Sequence, residues 1–70
     1  MHIVTGAAGF IGSNLVAHLN KQGHEDILLV DNLSMDKTKN LEGLYFEDLI
    51  SPNELLEANI DKSDVVWHIG

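Results

Sequence analysis

Three glycines near the start of the chain are spaced as in a turn whose backbone must approach a bound ligand closely. Gly6, Gly9 and Gly12 lie between a short apolar run at residues 2–4 and an amphipathic segment. A strand, a glycine turn and a helix N-terminus in this order predict an anion site. Free N–H groups and the positive end of the helix dipole both face the ligand there.

The spacing of these glycines is Gly-x-x-Gly-x-x-Gly, whereas the commonest dinucleotide fingerprint is Gly-x-Gly-x-x-Gly. The same three roles still follow from geometry. Gly6 permits a tight turn, Gly9 lets a pyrophosphate lie against bare backbone, and Gly12 lets the helix pack close to the strand. The turn therefore predicts a site for the pyrophosphate of a dinucleotide.

An aspartate follows the second apolar run of the chain. Asp31 comes directly after residues 27–30 and lies 19 positions beyond Gly12 (31 − 12). By itself, an aspartate at a strand end could equally be a solvated side chain or a cap for the next turn. An acidic residue about 20 residues after the glycines is expected to bind the adenosine ribose, so we favour that role.

The apolar runs predict a domain of the α/β class with four parallel strands. Residues 2–4 and 27–30 are apolar on both faces, which is typical of buried strands in a parallel sheet. Further apolar runs at 44–46 and 65–69 predict the third and fourth strands. Because the glycine turn belongs at the switch point between strands 1 and 4, we expect the Rossmann-like order 3-2-1-4 with helices on both faces.

Two helices are predicted between these strands. The first runs from about Phe10 to Lys21, and Gly23 is expected to end it in a left-handed conformation. The second begins at Ser51, which can cap the helix together with Glu54, and Pro52 suits the first helical position. The buried stripe of the first helix is predicted to contain Ile11, Leu15 and Leu19 at intervals of four, widened by Gly12 and Val16.

Composition excludes several classes of partner. The chain has 70 residues and a net charge of −7, which opposes non-specific binding to nucleic acid or to anionic membranes. Any phosphate must therefore be held locally by backbone and dipole. The sequence has no cysteine, which fits a reducing compartment, and we expect a cytoplasmic protein. The histidines and carboxylates lack the spacing of metal ligands, so no metal site is expected.

Three motifs together resemble those of the extended short-chain dehydrogenases/reductases, which include nucleotide-sugar epimerases and dehydratases. They are TGxxGFIG at residues 5–12, DNL at 31–33 and DVVWH at 64–68. The resemblance covers essentially the whole chain. Within the family, the ADP-heptose 6-epimerase subfamily is most similar, at residues 3–14, 26–33 and 38–41. The UDP-glucose 4-epimerases share a similar start and the DNL motif, so a 4-epimerase or a dehydratase stays open.

The resemblance implies a site for NADP or NAD in which residues of the glycine turn and of the second strand end carry most contacts. Phe10 and Ile11 would contact the pyrophosphate through their backbone N–H groups. Asp31 and Asn32 would hold the adenosine ribose. Lys39 corresponds to a lysine that meets the 2′-phosphate in the heptose epimerases.

Further cofactor contacts are implied after the third and fourth strands. Asp48 and Leu49 correspond to residues at the adenine edge, and Ile69 and Gly70 to backbone that passes beside the cofactor. A second phosphate-binding lysine of the heptose epimerases would fall near residues 52–53, where this chain has none. That departure weakens the case for a 2′-phosphate.

The catalytic pair of the family, Tyr-x-x-x-Lys, is not found in this sequence. Its single tyrosine, Tyr45, is followed four positions later by Leu49, and we expect Tyr45 to pack in the third strand. We therefore expect residues 1–70 to be the N-terminal part of an NAD(P)-binding domain, without the catalytic and substrate-binding regions. The resemblance implies a homo-oligomeric parent enzyme acting on a nucleotide sugar. A non-catalytic nucleotide-binding module is the alternative.

Overall fold

The structure is a computed structural model that describes residues 1–32, 39–57 and 64–69. These residues form four strands and two α-helices. They are β1 (His2–Thr5), α1 (Phe10–Lys21), β2 (Ile27–Val30), β3 (Asp48–Ile50), α2 (Pro52–Glu57) and β4 (Val65–His68), with a 3₁₀ turn at Lys39–Leu41. The predicted bounds of α1 and β2 are confirmed, and β4 ends one residue earlier than predicted.

The four strands form one parallel sheet in the order β3-β2-β1-β4, which confirms the predicted order 3-2-1-4. Thr5, the last residue of β1, is paired with Val30 on one side and His68 on the other. Val30 is in turn paired with Ile50. The last residues of all four strands therefore lie in one row, which we call the carboxyl edge.

The two helices lie on opposite faces of the sheet because successive strands are added first on one side of β1 and then on the other. From β1 to β2 to β3 the strands are added on one side, whereas β4 is added on the other side of β1. Connections between parallel strands are right-handed, so this reversal places α2 on the face opposite α1. A crevice opens at the carboxyl edge of such a sheet, next to the switch point.

The core lies between α1 and the sheet. Val16 and Leu19 of α1 pack in one buried cluster with Val4, Ile27 and Leu29. Side chains alternate between the faces of a strand. The neighbours Ile3 and Val30 are also buried, on the other face. The prediction that β1 and β2 are buried on both faces is confirmed.

The predicted stripe of α1 is wrong at its first position, because Ile11 is 67% exposed. The buried positions of the helix are Gly12, Ser13, Val16 and Leu19. Gly12 rather than Ile11 faces β1, since only a residue without a side chain fits against the backbone of the glycine turn. Ile11 is consequently turned towards the carboxyl edge.

The predicted third strand at residues 44–46 is also wrong. The N–H of Tyr45 donates to Asn20 Oδ1 at 2.8 Å, and its carbonyl accepts from Asn20 Nδ2 at 3.0 Å. These backbone groups are thus paired with a side chain instead of a strand. Leu44 and Phe46 pack against the core, but Tyr45, which was expected to pack, is 63% exposed. The apolar pattern identified packing residues and not the ladder of β3.

Local chemistry sets the ends of both helices as predicted. Gly23 follows α1 with a φ of 90°, in the left-handed region that favours glycine. At the start of α2, the N–H of Glu54 donates to Ser51 Oγ at 3.3 Å, and the Ser51 hydroxyl lies 3.2 Å from Glu54 Oε1. Among the described residues, no helix has the length and apolar character that a membrane crossing needs.

Candidate functional site

The glycine turn begins at the carboxyl edge, directly after β1. Gly6 has a φ of 67°, and its N–H donates to the carbonyl of Val30 at 2.8 Å. A Cβ added to Gly6 would overlap the carbonyl oxygen of Ile69. Only glycine satisfies both the left-handed conformation and the close approach of the chain after β4.

The other two glycines of the turn differ in what the fold requires. A Cβ on Gly12 would overlap the Gly6 carbonyl oxygen and lie 2.9 Å from the Ala7 Cα, so the fold itself excludes a side chain there. Of the atoms in the described part of the chain, a Cβ on Gly9 would meet only the Gly6 carbonyl oxygen, at 3.4 Å, which is ordinary van der Waals contact. The described residues therefore leave space beside Gly9, which a ligand that approaches the backbone closely would need.

The N-terminus of α1 opens onto this space. Gly9 is the N-cap residue, and among the described residues no side chain caps the helix and no acidic residue lies in its first turn. The first N–H groups of a helix have no partner inside it. The N–H groups of Phe10, Ile11 and Gly12 therefore remain for an anion, beside the positive end of the helix dipole.

Two cavities at the carboxyl edge bring most of the predicted site residues together. Both include Gly6, Asp31 and Ile69, so they meet at the ends of β1, β2 and β4. The first cavity has four further lining residues from the turn and α1: Gly9, Phe10, Ile11 and Gly12. The second is lined in addition by Thr5, Val30, Asn32, Pro52, Leu55 and His68.

Three described site residues, Lys39, Asp48 and Leu49, do not line these cavities. Lys39 begins the 3₁₀ turn and is exposed. Asp48 and Leu49 begin β3 instead of following it, and their register places them beside Leu28 and Leu29, short of the carboxyl edge. Gly70 lies outside the described residues.

Asp31 has a structural contact that its sequence position did not predict. Its carboxylate accepts two backbone N–H groups, from Ala8 at 2.9 Å and from Asn32 at 2.7 Å. The residue is only 9% exposed, and its own N–H donates to the carbonyl of Ile50 at 3.1 Å. The Asp31 carboxylate therefore holds the glycine turn to the end of β2.

Two further polar side chains at this edge were missed by the sequence analysis. Thr5 Oγ1 accepts the N–H of Ile69 at 3.2 Å and lies 3.0 Å from His68 Nδ1, so it joins the ends of β1 and β4. Asn40 Nδ2 donates to the carbonyl of Ala8 at 2.9 Å. Neither contact has a local sequence signal, because each joins residues far apart in the chain.

The opposite edge of the sheet carries charged contacts. The α-amino group of Met1 lies 3.3 Å from Asp64 Oδ1 and 3.6 Å from Asp26 Oδ2. Hydrogen bonding to Asp64 raises the pKa of this amino group above its usual value, with further attraction to both carboxylates. Within the described part of the chain, no cluster of histidines and carboxylates could hold a metal ion.

Comparison with known proteins agrees with this geometry. The NAD dependent epimerase/dehydratase family matches residues 2–70. The chain belongs to this family. Membership gives the cofactor class as NAD(P), and the room at Gly9 and the uncapped helix fit its pyrophosphate.

Individual relatives carry a more specific name. The chain is 46% identical to an ADP-L-glycero-D-manno-heptose-6-epimerase of Brachyspira hyodysenteriae and 42% identical to one of Alkalilimnicola ehrlichii. All of the chain is aligned in both comparisons, against 24% of each relative. The chain thus spans about a quarter of the length of these curated relatives.

Proposed function

We propose that this chain is the dinucleotide-binding N-terminal segment of a nucleotide-sugar epimerase, most similar to the ADP-heptose 6-epimerases. The two relatives with that name, at 46% and 42% identity, support this subfamily over the 4-epimerases and dehydratases. When bound, NAD(P) supplies reversible hydride transfer, through which a sugar carbon is oxidised and reduced again with inversion. The cysteine-free sequence supports placing this activity in the cytoplasm.

The observation that carries the proposal is the uncapped N-terminus of α1 above Gly9. Phe10 and Ile11 would donate their N–H groups to the pyrophosphate, where the helix dipole favours negative charge. Asp31 and Asn32, at the end of β2, would hold the adenosine ribose. The backbone of Ile69 would pass beside the cofactor, since it borders both cavities.

This segment contributes binding and not the proton transfer of the reaction. Tyr45, the one tyrosine of the sequence, lines a depression with Glu25, Asp26 and Glu47, away from the carboxyl edge. A tyrosine that acts on the sugar must reach the substrate beside the cofactor. Tyr45 is therefore not proposed as the base of this reaction.

The binding proposal is tested by Gly9→Ala in the intact protein. The added methyl group would hold the pyrophosphate away from the helix N-terminus, and we expect the Kd for NAD(P) to rise by about tenfold, or 1.4 kcal/mol. The free energy of unfolding should change by less than about 1 kcal/mol. The added Cβ would make only an ordinary van der Waals contact, and alanine is merely less favourable than glycine at the N-cap. Calorimetric titration and thermal unfolding measure both. Wild-type protein without affinity for either dinucleotide would refute the proposal.

Cofactor preference depends on two opposing charges. The Asp31 carboxylate would repel a 2′-phosphate, and like charges at about 4 Å cost several kcal/mol at an effective dielectric constant near 20. The ammonium group of Lys39 can offset much of that repulsion, because the 3₁₀ turn that carries it is tied to the glycine turn by Asn40. We propose that the protein binds both cofactors and that Lys39 sets their ratio.

Replacing Lys39 with alanine is expected to raise the Kd for NADP by about tenfold and to leave the Kd for NAD nearly unchanged. Lys21→Ala is the matched control, because it removes the same charge from an exposed position in the last turn of α1. Titration of NAD and NADP against the three proteins measures the ratio. Equal losses for both cofactors would show that Lys39 does not contact the 2′-phosphate.

A further inference from the structure

We propose that Asn40 is a positioning residue for the dinucleotide site, because its amide fixes the peptide that leads into α1. This inference rests on the proposed function, since it concerns how the same turn is held ready for the pyrophosphate. Asn40 itself does not line either cavity at the carboxyl edge. It acts through the backbone of Ala8, to which its Nδ2 donates at 2.9 Å.

The peptide that Asn40 holds joins Ala8 to Gly9, the N-cap residue of α1. The carbonyl of Ala8 and the N–H of Gly9 belong to one planar unit, so fixing one group fixes the other. That N–H donates to the carbonyl of Gly6 at 3.2 Å, and the carbonyl of Gly9 accepts the N–H of Ser13 at 2.9 Å in the first turn of α1. Rotation of the peptide plane would therefore redirect the N–H groups at the start of the helix.

Ala8 is held from both sides by side chains from distant parts of the chain. Asp31 Oδ2 accepts its N–H at 2.9 Å, and Asn40 donates to its carbonyl at the same distance. Ala8 is fully buried, so water cannot replace either partner without opening the turn. The two bonds together leave this part of the glycine turn a single arrangement.

Asn40 can serve as an anchor because its own segment is fixed by packing. Leu41, the next residue, is buried in the core cluster with Val4 and Leu29. The 3₁₀ turn is closed by hydrogen bonds from Glu42 to Lys39 and from Leu44 to Leu41, at 3.3 and 3.2 Å. The position of the amide is thus determined by the core and not by an adaptable loop.

Loss of a hydrogen bond with a purely structural role would lower stability without changing the affinity for one ligand more than for another. Asn20 makes such hydrogen bonds and provides the control. Asn20 also bridges two segments: its Nδ2 donates to His24 and Tyr45, and its Oδ1 accepts the N–H of Tyr45. Its partners follow α1 or precede β3, away from the glycine turn. Asn20→Ala should therefore destabilise the protein at least as much as Asn40→Ala but leave ligand binding unchanged.

The experiment compares NAD with adenosine, which lacks the pyrophosphate, in the intact protein. We expect Asn40→Ala to raise the Kd for NAD by about fivefold and the Kd for adenosine by less than about twofold. Asn20→Ala is expected to change neither Kd. NAD is titrated by calorimetry and adenosine by NMR, with thermal unfolding as the measure of stability. If the alanine variant does not fold, Asn40→Gln, which displaces the donor by one methylene, is expected to give the same selective loss.

The outcomes separate this inference from the proposed function. Failure of wild-type protein to bind either NAD or NADP would overturn both. If wild-type protein binds NAD but Asn40→Ala leaves its affinity unchanged, or weakens NAD and adenosine equally, Asn40 is not a positioning residue and the proposed function stands.

Discussion

Replacing Gly6 with alanine is expected to lower the free energy of unfolding of the intact protein by roughly 4 kcal/mol and to abolish measurable dinucleotide binding. Two costs combine at this position. The φ of 67° is strained for any residue with a Cβ, and that Cβ would overlap the carbonyl oxygen of Ile69. Since backbone cannot rotate away as a flexible side chain can, the turn and the chain after β4 must separate.

Gly43→Ala separates these two costs experimentally. Gly43 also has a positive φ, 78°, but an added Cβ would meet no atom of the described residues within 4 Å. This control should cost only about 1 kcal/mol of backbone strain and leave binding unchanged. Denaturant unfolding and NAD titration of both variants provide the comparison. Similar stability losses for the two substitutions would mean that the approach of Ile69 to the turn does not constrain Gly6.

The order of the sheet was predictable because local signals agreed with one another. The glycine turn, the apolar runs of β1 and β2, and the caps of α1 and α2 each depend on residues close together in sequence. The third strand was misplaced because apolar residues such as Leu44 and Phe46 pack against the core without joining a ladder. Apolar periodicity cannot distinguish the two cases, since the pairing of Tyr45 with Asn20 involves residues 25 positions apart.

The same distinction applies to the candidate site. The spacing from the glycines to Asp31 predicted which residues meet at the carboxyl edge, and the structure brings them together there. The hydrogen bond from the Ala8 N–H to Asp31 and the one from the Asn40 amide to the Ala8 carbonyl were not predictable, because they cross 23 and 32 residues. Sequence spacing therefore indicated which residues meet at this site but not the contacts that hold its turn in shape.

Asparagine in place of Asp31 should raise the Kd for NAD by about a hundredfold, or 2.7 kcal/mol. The side chains have the same shape, but the carboxylate accepts two backbone N–H groups, from Ala8 and Asn32. The asparagine amide has only one oxygen, so its NH₂ group would face one of these two N–H donors. Asp31 is only 9% exposed, so water cannot easily take the place of the lost acceptor. A hydrogen bond to a charged group contributes about 1.5–3 kcal/mol, and part of that is lost here in addition to the ribose contact.

Asp26→Asn is the control for the change in charge, because Asp26 is exposed and pairs with the Met1 amino group at the other edge of the sheet. It should leave the affinity for both dinucleotides unchanged. For Asp31→Asn, comparison of NAD with NADP and measurement of stability distinguish the two roles of the carboxylate. Loss of the carboxylate removes its repulsion of a 2′-phosphate, so NADP should weaken less than NAD while the protein also becomes less stable. Equal weakening of both cofactors would assign Asp31 to the turn alone, and selective loss of NAD at unchanged stability would assign it to the ribose alone.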